Sequence, residues 1–403
     1  MSRLIKDFSV SASVAGIIAT VISYAGPLVI IFQAAKAAAL PGEVLSSWVW
    51  AISIGSGVLG IVLSLRYRVP VIVAWSAPGS ALLVTLLPGI SLNEAVGAYL
   101  LANGVILLVG LSGAFDRIVG RLPAAIAAAM LAGILLRFGT QLFVSLDAQP
   151  ALVLTMFAAY LLGKRWVPRY AVLAVLVSGC LLALCSGQLQ VGAFTLGLAT
   201  PVWITPSFSW HGTLNIALPL VMVALTGQFV PGIAVLRNAG YGTAASPIIA
   251  SSALVSMALA PFACHGLNLA AITAAICTGR EAHDDPGRRY VAGVVGGVCY
   301  VLLGIFGATL VSLFSALPKE LIAALAGLAL FAAIGGALNG AMAVPRDREA
   351  ALITFLVTAS GMSWLGLSAA FWGLIFGLIA HWVLTMRAAP RTESVEAVEV
   401  SNR

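Results

Sequence analysis

The stretch Pro261 to Thr273 reads PFACHGLNLAAIT, and it determines how the rest of the sequence is interpreted. It lies within an apolar run, yet it begins with proline and contains His265 and Asn268. Proline lacks a backbone N–H and disrupts a continuous helix. At membrane depth, a polar and irregular segment is tolerated only where it faces protein or a water-filled cavity. The stretch therefore predicts one half of a ligand site inside a membrane-embedded bundle.

The whole chain has the composition of a polytopic membrane protein. Of its 403 residues, 61% are hydrophobic and only 9% are charged, and the mean hydropathy is +1.06. Soluble domains carry about 25% charged residues. Apolar runs of about 20 residues, the length that crosses a bilayer, recur along the sequence and predict an all-α fold with about 14 spans. The five cysteines lie in apolar segments and are interpreted as buried thiols.

The basic residues indicate how the predicted spans are oriented. All but three of the 21 Lys and Arg residues fall on one side of the bundle; the exceptions are Lys36, Lys319 and Arg137. Loops rich in Lys and Arg face the cytoplasm. We therefore expect cytoplasmic N- and C-termini. The net charge of +7 reflects this orientation, and no binding to nucleic acid is expected.

The two halves of the chain show related features in the same order. Pro27 in span 1 corresponds to Pro231 in span 8, and Pro70 in span 3 corresponds to Pro261 in span 10. Seven spans per half is an odd number, so the second half is predicted to be inverted relative to the first. Inverted repeats with interrupted helices in equivalent positions are typical of secondary transporters that bind substrate near the bilayer midplane.

Span 3 reads VPVIVAWSAPGSALL (Val69–Leu83) and is the expected partner of the opening stretch. Its prolines predict an extended segment over Val71–Trp75 and a half-helix that begins near Ser76. Span 10 is predicted to have an extended Phe262–His265 and a half-helix that begins near Gly266. Two such helix N-termini that face each other would bind an anion through free N–H groups and helix dipoles. The alternative is a pair of proline kinks that only pack against their neighbours.

Several side chains near these breaks are candidates for ligand contacts. His265 lies in the membrane interior and can titrate near neutral pH, so it is the candidate for proton coupling; the alternative is a neutral histidine hydrogen-bonded within the bundle. Gln228 precedes a break expected at Pro231 and could contact the ligand or a neighbouring helix. Arg137 is interpreted as a gate residue, a carboxylate partner or a cation that reaches the interface. The residues predicted to bind substrate are Tyr24, Trp75, Ser76, Gly79, Gln228, Phe229, Phe262, His265 and Asn268.

Three segments resemble the bacterial BenE-type family of benzoate:proton symporters, and the resemblance covers essentially the full chain. They read YAGPL (Tyr24–Leu28), TGQFVPGIAVLRNAGY (Thr226–Tyr241) and CHGLNLAAITAAICTG (Cys264–Gly279). More distantly, the chain is similar to nucleobase–ascorbate and uracil permeases. These resemblances imply a bacterial inner membrane location, a fold of seven plus seven inverted spans, and short strands in spans 3 and 10 that meet at the substrate. They leave a homodimer open as the assembly.

The resemblance also implies two domains that move against each other. The implied core domain comprises residues 1–113 and 213–315, the gate domain residues 114–186 and 316–386, the external loop residues 187–212 and the cytoplasmic tail residues 387–403. Uracil-permease-like proteins carry glutamates at the positions that correspond to Gln228 and His265. The exchange of both acids favours an anionic substrate, and it leaves His265 as the candidate proton carrier.

We therefore expect a transporter that imports benzoate or a similar small aromatic carboxylate together with protons, by alternating access. The alternatives are a permease for another small anion or for a nucleobase, and an anion channel. The missing pair of membrane acids argues against a nucleobase. A membrane enzyme is disfavoured because the sequence contains no HExxH, GxSxG, P-loop or CxxC motif, and no cofactor or metal is expected.

Overall fold

The computed structural model describes residues 6–115, 117, 123–189, 195–280, 282–365 and 367–385, so the predicted tail 387–403 lies outside the described residues. Within this part, eight helices are long and apolar enough to cross a membrane. They span Val10–Ala37, Gly42–Tyr67, Leu92–Ser112, Ala124–Val144, Trp210–Arg237, Ala245–Phe262, Pro286–Ile305 and Lys319–Met342. The chain is therefore a multi-pass membrane protein.

Shorter elements complete the fold. The shorter helices span Ala77–Leu86, Pro150–Trp166, Ala171–Cys185, Ala271–Thr278, Gly307–Ser315, Arg348–Ala359 and Ala369–Thr385. The strands span Val73–Trp75, Leu267–Leu269, Ser363–Trp364 and Leu367–Ser368. In each half of the chain, two long helices are followed by one strand, one short helix and a further long helix. The count of 14 spans and the inversion of the second half stay predictions.

Two buried strands pair between the halves. Val73–Trp75 and Leu267–Leu269 form an antiparallel ladder, in which Val73 lies opposite Leu269 and Trp75 lies opposite Leu267. Each strand leads into a short helix; we name these the first half-helix (Ala77–Leu86) and the second half-helix (Ala271–Thr278). Because the strands are antiparallel, the half-helices leave this strand pair at opposite ends. The extended segment and half-helix predicted for span 3 are confirmed.

The prediction for span 10 is wrong by several residues. The region predicted to be extended, Phe262–His265, instead contains the end of a 3₁₀ turn and Ala263 with a left-handed φ of 71°. Gly266 has a φ of 155°, which favours glycine, and the strand begins only at the next residue. The second half-helix consequently begins at Ala271, not near Gly266. Asn268 lies in the strand rather than in the half-helix.

The break predicted at Pro231 in span 8 is also wrong, because the helix continues from Trp210 to Arg237. Two π turns, Thr213–Ala217 and Leu225–Phe229, interrupt its regular geometry. Each π turn ends two residues before a proline, Pro219 or Pro231. A proline within a helix removes one hydrogen bond and crowds the preceding turn. A wider π turn relieves this crowding and lets the helix continue.

The helices pack in two groups around the strand pair. In one group, Gly42–Tyr67 packs against Tyr290–Ile305, and Leu92–Ser112 packs against Ala245–Leu259. In the other, Ala124–Val144 packs against Lys319–Met342 along much of its length. Close approach of the first pair depends on glycine, because a Cβ on Gly57 would lie 2.5 Å from the carbonyl oxygen of Gly297.

Candidate functional site

A cavity of about 620 Å³ lies beside the strand pair, between the two groups of helices. The first strand, the starts of both half-helices, the π turn Leu225–Phe229 and the helix residues around Pro27 form one wall. Alanine-rich stretches of Ala124–Val144 and Lys319–Met342 form the opposite wall. The volume lies within the range of small-molecule sites, roughly 300–1,000 Å³. None of the described residues that line it is Asp, Glu, Lys, Arg or His.

Two of the residues predicted from the sequence, Trp75 and Gln228, line this cavity. The Trp75 side chain is buried, and its indole Nε1–H has no hydrogen-bond partner among the described residues. Gln228 lies in the π turn, beside Thr226 and Gly227, which also line the cavity. Single π turns inside helices occur frequently at functional sites, since they displace side chains from the regular helix face.

Tyr24 supports the wall from behind and does not line the cavity itself. Its ring packs edge-on against Trp75, with the ring centroids 5.3 Å apart. Its hydroxyl donates to Ser53 Oγ at 2.5 Å, so its polar atom is already paired. Tyr24 therefore fixes the position of the Trp75 ring.

Ser76 and Gly79 complete the start of the first half-helix. The Ser76 hydroxyl accepts a hydrogen bond from the Gly79 backbone N–H at 2.9 Å, which is an N-cap. Pro78 has no N–H to offer, and Ser80 N–H bonds to the Ser76 carbonyl oxygen at 2.8 Å. Of the first four residues of this half-helix, only Ala77 keeps a free backbone donor.

His265 is buried one layer behind the wall, where its ring nitrogens are engaged. Nδ1 accepts a hydrogen bond from the Trp48 indole at 3.2 Å, because an indole N–H can only donate. This leaves the proton of the neutral ring on Nε2, which lies 3.2 Å from the Ser76 carbonyl oxygen and 3.1 Å from Ser80 Oγ. A histidine of the second half of the chain thus holds the start of the first half-helix. Asn268 lines a small separate pocket with His265 and Ser76.

The remaining predicted residues lie away from the cavity. Phe229 is fully buried and does not line it. Phe262 packs edge-on between Trp50 and Trp203, with its ring centroid 5.5 Å from each. Arg137 is exposed on the helix Ala124–Val144. The structure therefore does not bring these three side chains together with Trp75 and Gln228.

The start of the second half-helix is uncapped. This uncapped start was not predicted from the sequence. Its N-cap residue, Ala270, has no side chain that can accept a hydrogen bond, and no cap is formed. Ala270, Ala271 and Thr273 line the cavity. The Thr273 hydroxyl is buried and has no partner among the described residues. Thr273 therefore adds an unpaired hydroxyl to the unsatisfied N–H groups that every helix start carries.

A sequence signal for Thr273 exists, but it depends on the position of the helix start. When the helix is placed at Gly266, Thr273 falls in its second turn and has no special role. When it begins at Ala271, Thr273 is the third residue, where backbone N–H groups are still free. The run LNLAAIT also lacks Ser, Thr, Asn or Asp at the N-cap position, whereas AWSAPG supplies Ser76 in the first half of the chain.

The chemistry of the site suits a small anion with an apolar body. The free N–H groups and the dipole of the second half-helix favour negative charge. Trp75, Pro27, Leu131 and the alanines of the opposite wall offer an apolar surface. No formal charge on the described lining residues would repel or neutralise a carboxylate.

Sequence comparison with known proteins shows the family of the chain. The sequence pattern of the family described as BenE, benzoate membrane transport protein, matches residues 6–383. The chain is 50% identical over 384 residues to the benzoate membrane transport protein of Acinetobacter baylyi, covering 95% of this chain and 98% of that protein. It is 44% identical over 374 residues to the inner membrane protein YdcO of Escherichia coli, covering 93% and 96%.

Similar folds are found among solved structures of much lower sequence identity. SLC26A9 has a TM-score of 0.62 at 14% identity, covering 94% of this chain and 66% of that one. The transmembrane domain of the cyanobacterial bicarbonate transporter BicA has a TM-score of 0.59 at 13% identity, covering 92% and 97%. At this identity the likeness shows the fold alone. The sequence matches show more: the chain belongs to the BenE family of benzoate membrane transport proteins.

Proposed function

We propose that this protein carries benzoate across the bacterial inner membrane, together with protons, by alternating access. The family and the relative from Acinetobacter baylyi, which is named a benzoate membrane transport protein, support the substrate. The relative named as an inner membrane protein supports the location. The cavity supports a small carboxylate with a ring, because it combines helix-start donors with an apolar surface and no acid.

The carboxylate binds at the start of the second half-helix in this proposal. Backbone N–H groups of its first turn and the Thr273 hydroxyl donate to the carboxylate oxygens. The Trp75 indole N–H is a further unpaired donor on the same wall. The ring lies against Trp75 and the alanines of the opposite wall. The observation that carries the proposal is the uncapped half-helix start, with buried and unpaired Thr273, at a cavity that lacks acids.

Proton coupling is proposed because an anion must move inward against an inside-negative membrane potential. Inward movement of one negative charge against an inside-negative potential costs about 2.3 kcal/mol per 100 mV. Co-transport of one proton cancels this cost and allows accumulation. Among the described residues, no titratable acid or base lines the cavity, so the coupling group must lie behind the wall or be the substrate itself.

His265 is the proposed coupling group behind the wall. A second proton would have to bind Nδ1, which faces the Trp48 indole N–H at 3.2 Å. Two donors cannot share this contact, so protonation would separate His265 from Trp48. Because His265 also holds the Ser76 carbonyl oxygen, this separation would shift the first half-helix. Protonation and movement of the cavity wall are thereby linked.

The cavity supports an inward-facing state. It reaches Ala124 at the start of one helix and Ala337 near the end of an antiparallel one. Both lie at the end of the bundle where the predicted basic, cytoplasmic loops are. We propose that a core of residues 1–113 and 213–315 moves against a gate of residues 114–186 and 316–386, in an inverted seven-plus-seven fold. A homodimer is compatible with this movement.

Uptake into proteoliposomes tests the proposed function. Labelled benzoate is offered to vesicles with and without an acidic exterior, and protein-free vesicles correct for passive entry of the neutral acid. We expect saturable, protein-dependent accumulation that requires the pH gradient. Saturable uptake without a gradient effect would overturn proton coupling, and absence of protein-dependent benzoate uptake would overturn the substrate. Currents that do not saturate would indicate a channel.

The variant His265→Gln tests the coupling group in the same assay. We expect it to lose gradient-driven accumulation while it still exchanges labelled for unlabelled benzoate. Retention of full gradient-driven accumulation would show that the proton binds elsewhere.

A further inference from the structure

Behind the first strand lies a second, much smaller cavity of about 10 Å³. It lies between the helix Val10–Ala25, the helix Gly42–Tyr67, the segment Val71–Val73 and the helix Tyr290–Ile305. A single water molecule needs a cavity of about 10–15 Å³. The cavity is therefore large enough for one water and too small for an organic ligand.

Two hydroxyl groups on the cavity walls have no partner. Tyr300 and Ser56 both line the cavity, and both are buried, with exposures of 2% and 1%. Neither Tyr300 Oη nor Ser56 Oγ makes a hydrogen bond with the described residues. Ser23 Oγ lies near Tyr300 and donates to the Ala19 carbonyl oxygen at 3.1 Å, which leaves its lone pairs free, but its contact with Tyr300 Oη falls outside hydrogen-bond geometry. A buried hydroxyl without a hydrogen bond is costly, so two at one cavity point to a missing partner.

Further polar atoms surround the same space. Thr20 Oγ1 donates to the carbonyl oxygens of Gly16 and Gly296 and can still accept a bond. The Val71 carbonyl oxygen accepts from Ser64 Oγ at 3.3 Å and has a second lone pair. A water molecule needs two to four polar partners. Tyr300, Ser56, Thr20 and the strand backbone supply that number.

We propose that this cavity is a binding site for one structural water, which bridges Tyr300 Oη and Ser56 Oγ behind the first strand. The described lining residues include no carboxylate to balance a cation, which favours a neutral guest over a sodium ion of similar size. In this proposal the water site does not contact the transported substrate. It has a link to the transport cavity, because the Tyr300 ring packs 6.0 Å from the ring of Trp75.

The variant Gly60→Ala tests the proposal, because an empty cavity and a water-filled cavity predict opposite changes in melting temperature. A Cβ at this position would lie 3.6 Å from the Val71 carbonyl oxygen, in ordinary contact, and would project into the cavity. Alanine is a better helix residue than glycine, so Gly60→Ala should raise the melting temperature if the cavity is empty. If water fills the cavity, the methyl group displaces it and leaves two hydroxyls unpaired. We expect Gly60→Ala to lower the melting temperature by a few degrees.

A double-mutant cycle provides the second test. We expect Ser56→Ala and Tyr300→Phe each to lower the melting temperature of the purified protein by a few degrees. The melting temperature of the double variant should be no lower than that of the less stable single variant, because both hydroxyls share one water. Ser46→Ala is the matched control, since Ser46 is also a buried, unpaired serine on the same helix but does not line the cavity. It should leave the melting temperature unchanged or slightly raised.

Three results would overturn the proposal. A higher melting temperature for Gly60→Ala would show a dry cavity. Additive losses in the cycle would show two independent hydroxyls. The melting temperature is also compared in sodium, potassium and choline chloride at equal ionic strength. A sodium-specific rise that disappears in Ser56→Ala would identify a cation site instead of a water site. If Gly60→Ala does not fold, the cycle and the salt series decide alone.

Discussion

The two half-helices occupy equivalent places in the chain, yet their starts are built differently. At the first start only the Ala77 N–H stays free: Ser76 caps the helix, Pro78 lacks an N–H, and His265 holds the Ser76 carbonyl oxygen. The second start has alanine at its N-cap and an unpaired Thr273, and it faces the same cavity. The donors at the first start are therefore mostly satisfied within the protein, whereas those at the second start are the ones that we propose a ligand satisfies.

The opposite end of the second half-helix reinforces this contrast. Buried Arg289 donates from Nη1 to the Thr278 carbonyl oxygen at 2.7 Å and from Nε to the His283 carbonyl oxygen at 2.6 Å. A cation at the C-terminus is favourable for the helix dipole. The second half-helix is thus anchored at the end away from the cavity and open at the end that faces it.

The largest effect on benzoate affinity is expected from a carboxylate side chain placed at the uncapped start of the second half-helix. Ala270→Asp places an N-cap acid where we propose that the substrate carboxylate binds. The built-in charge repels benzoate and occupies its donors, and a few kcal/mol of repulsion at short range would weaken binding by about 100-fold or more. Titration calorimetry with benzoate measures the loss, and a rise in melting temperature should accompany it.

Ala270→Asn is the matched control for this change, because it caps the same start without charge. We expect an intermediate loss of affinity, about 10-fold. If Ala270→Asp binds benzoate as tightly as the unmodified protein does, the carboxylate does not bind at the second half-helix.

The next effect is expected from removal of the unpaired hydroxyl. Thr273→Val keeps the shape of the side chain but removes a donor to a charged group, which is worth about 1.5–3 kcal/mol. Benzoate affinity should fall by about 10-fold or more, while the melting temperature stays nearly constant. Thr273→Ser should retain most of the affinity. Equal affinities for Thr273→Val and the unmodified protein would remove Thr273 from the site.

The smallest effect on benzoate binding is expected from a substitution at the start of the first half-helix. Ser76→Ala removes an N-cap and should destabilise the protein by about 1 kcal/mol, measured by thermal unfolding. Benzoate affinity should change by less than about threefold, because Ser76 serves its own helix. A larger loss of affinity than that of Thr273→Val would reverse the assigned roles of the two half-helices.

The sequence predicted the membrane class, the paired breaks and two of the residues that line the cavity. Composition and apolar length are enough for the class, and Pro70 and Pro261 mark both breaks. Trp75 and Gln228, which were predicted to bind substrate, lie directly beside breaks or turns and line the cavity; their contact with substrate stays a prediction. The exact helix starts and the course of span 8 depend on backbone geometry that residue types alone do not determine.

Exact helix starts are one such detail. Gly266 delays the strand and so moves the second half-helix start to Ala271, which brings Thr273 to the cavity. The π turn before Pro231 is another, since it keeps span 8 continuous where proline suggests a break. Phe229 and Phe262 are aromatic and close to the breaks in sequence, but they face other parts of the core.

A structure of the complex with 4-bromobenzoate tests the central claim most directly, because the bromine identifies which end of the ligand is which. We expect the carboxylate oxygens within hydrogen-bonding distance of Thr273 Oγ1 and the first-turn N–H groups of the second half-helix, with the bromine toward the alanine-rich wall. A carboxylate bound at Ala77, at the start of the first half-helix, or outside the cavity would contradict it.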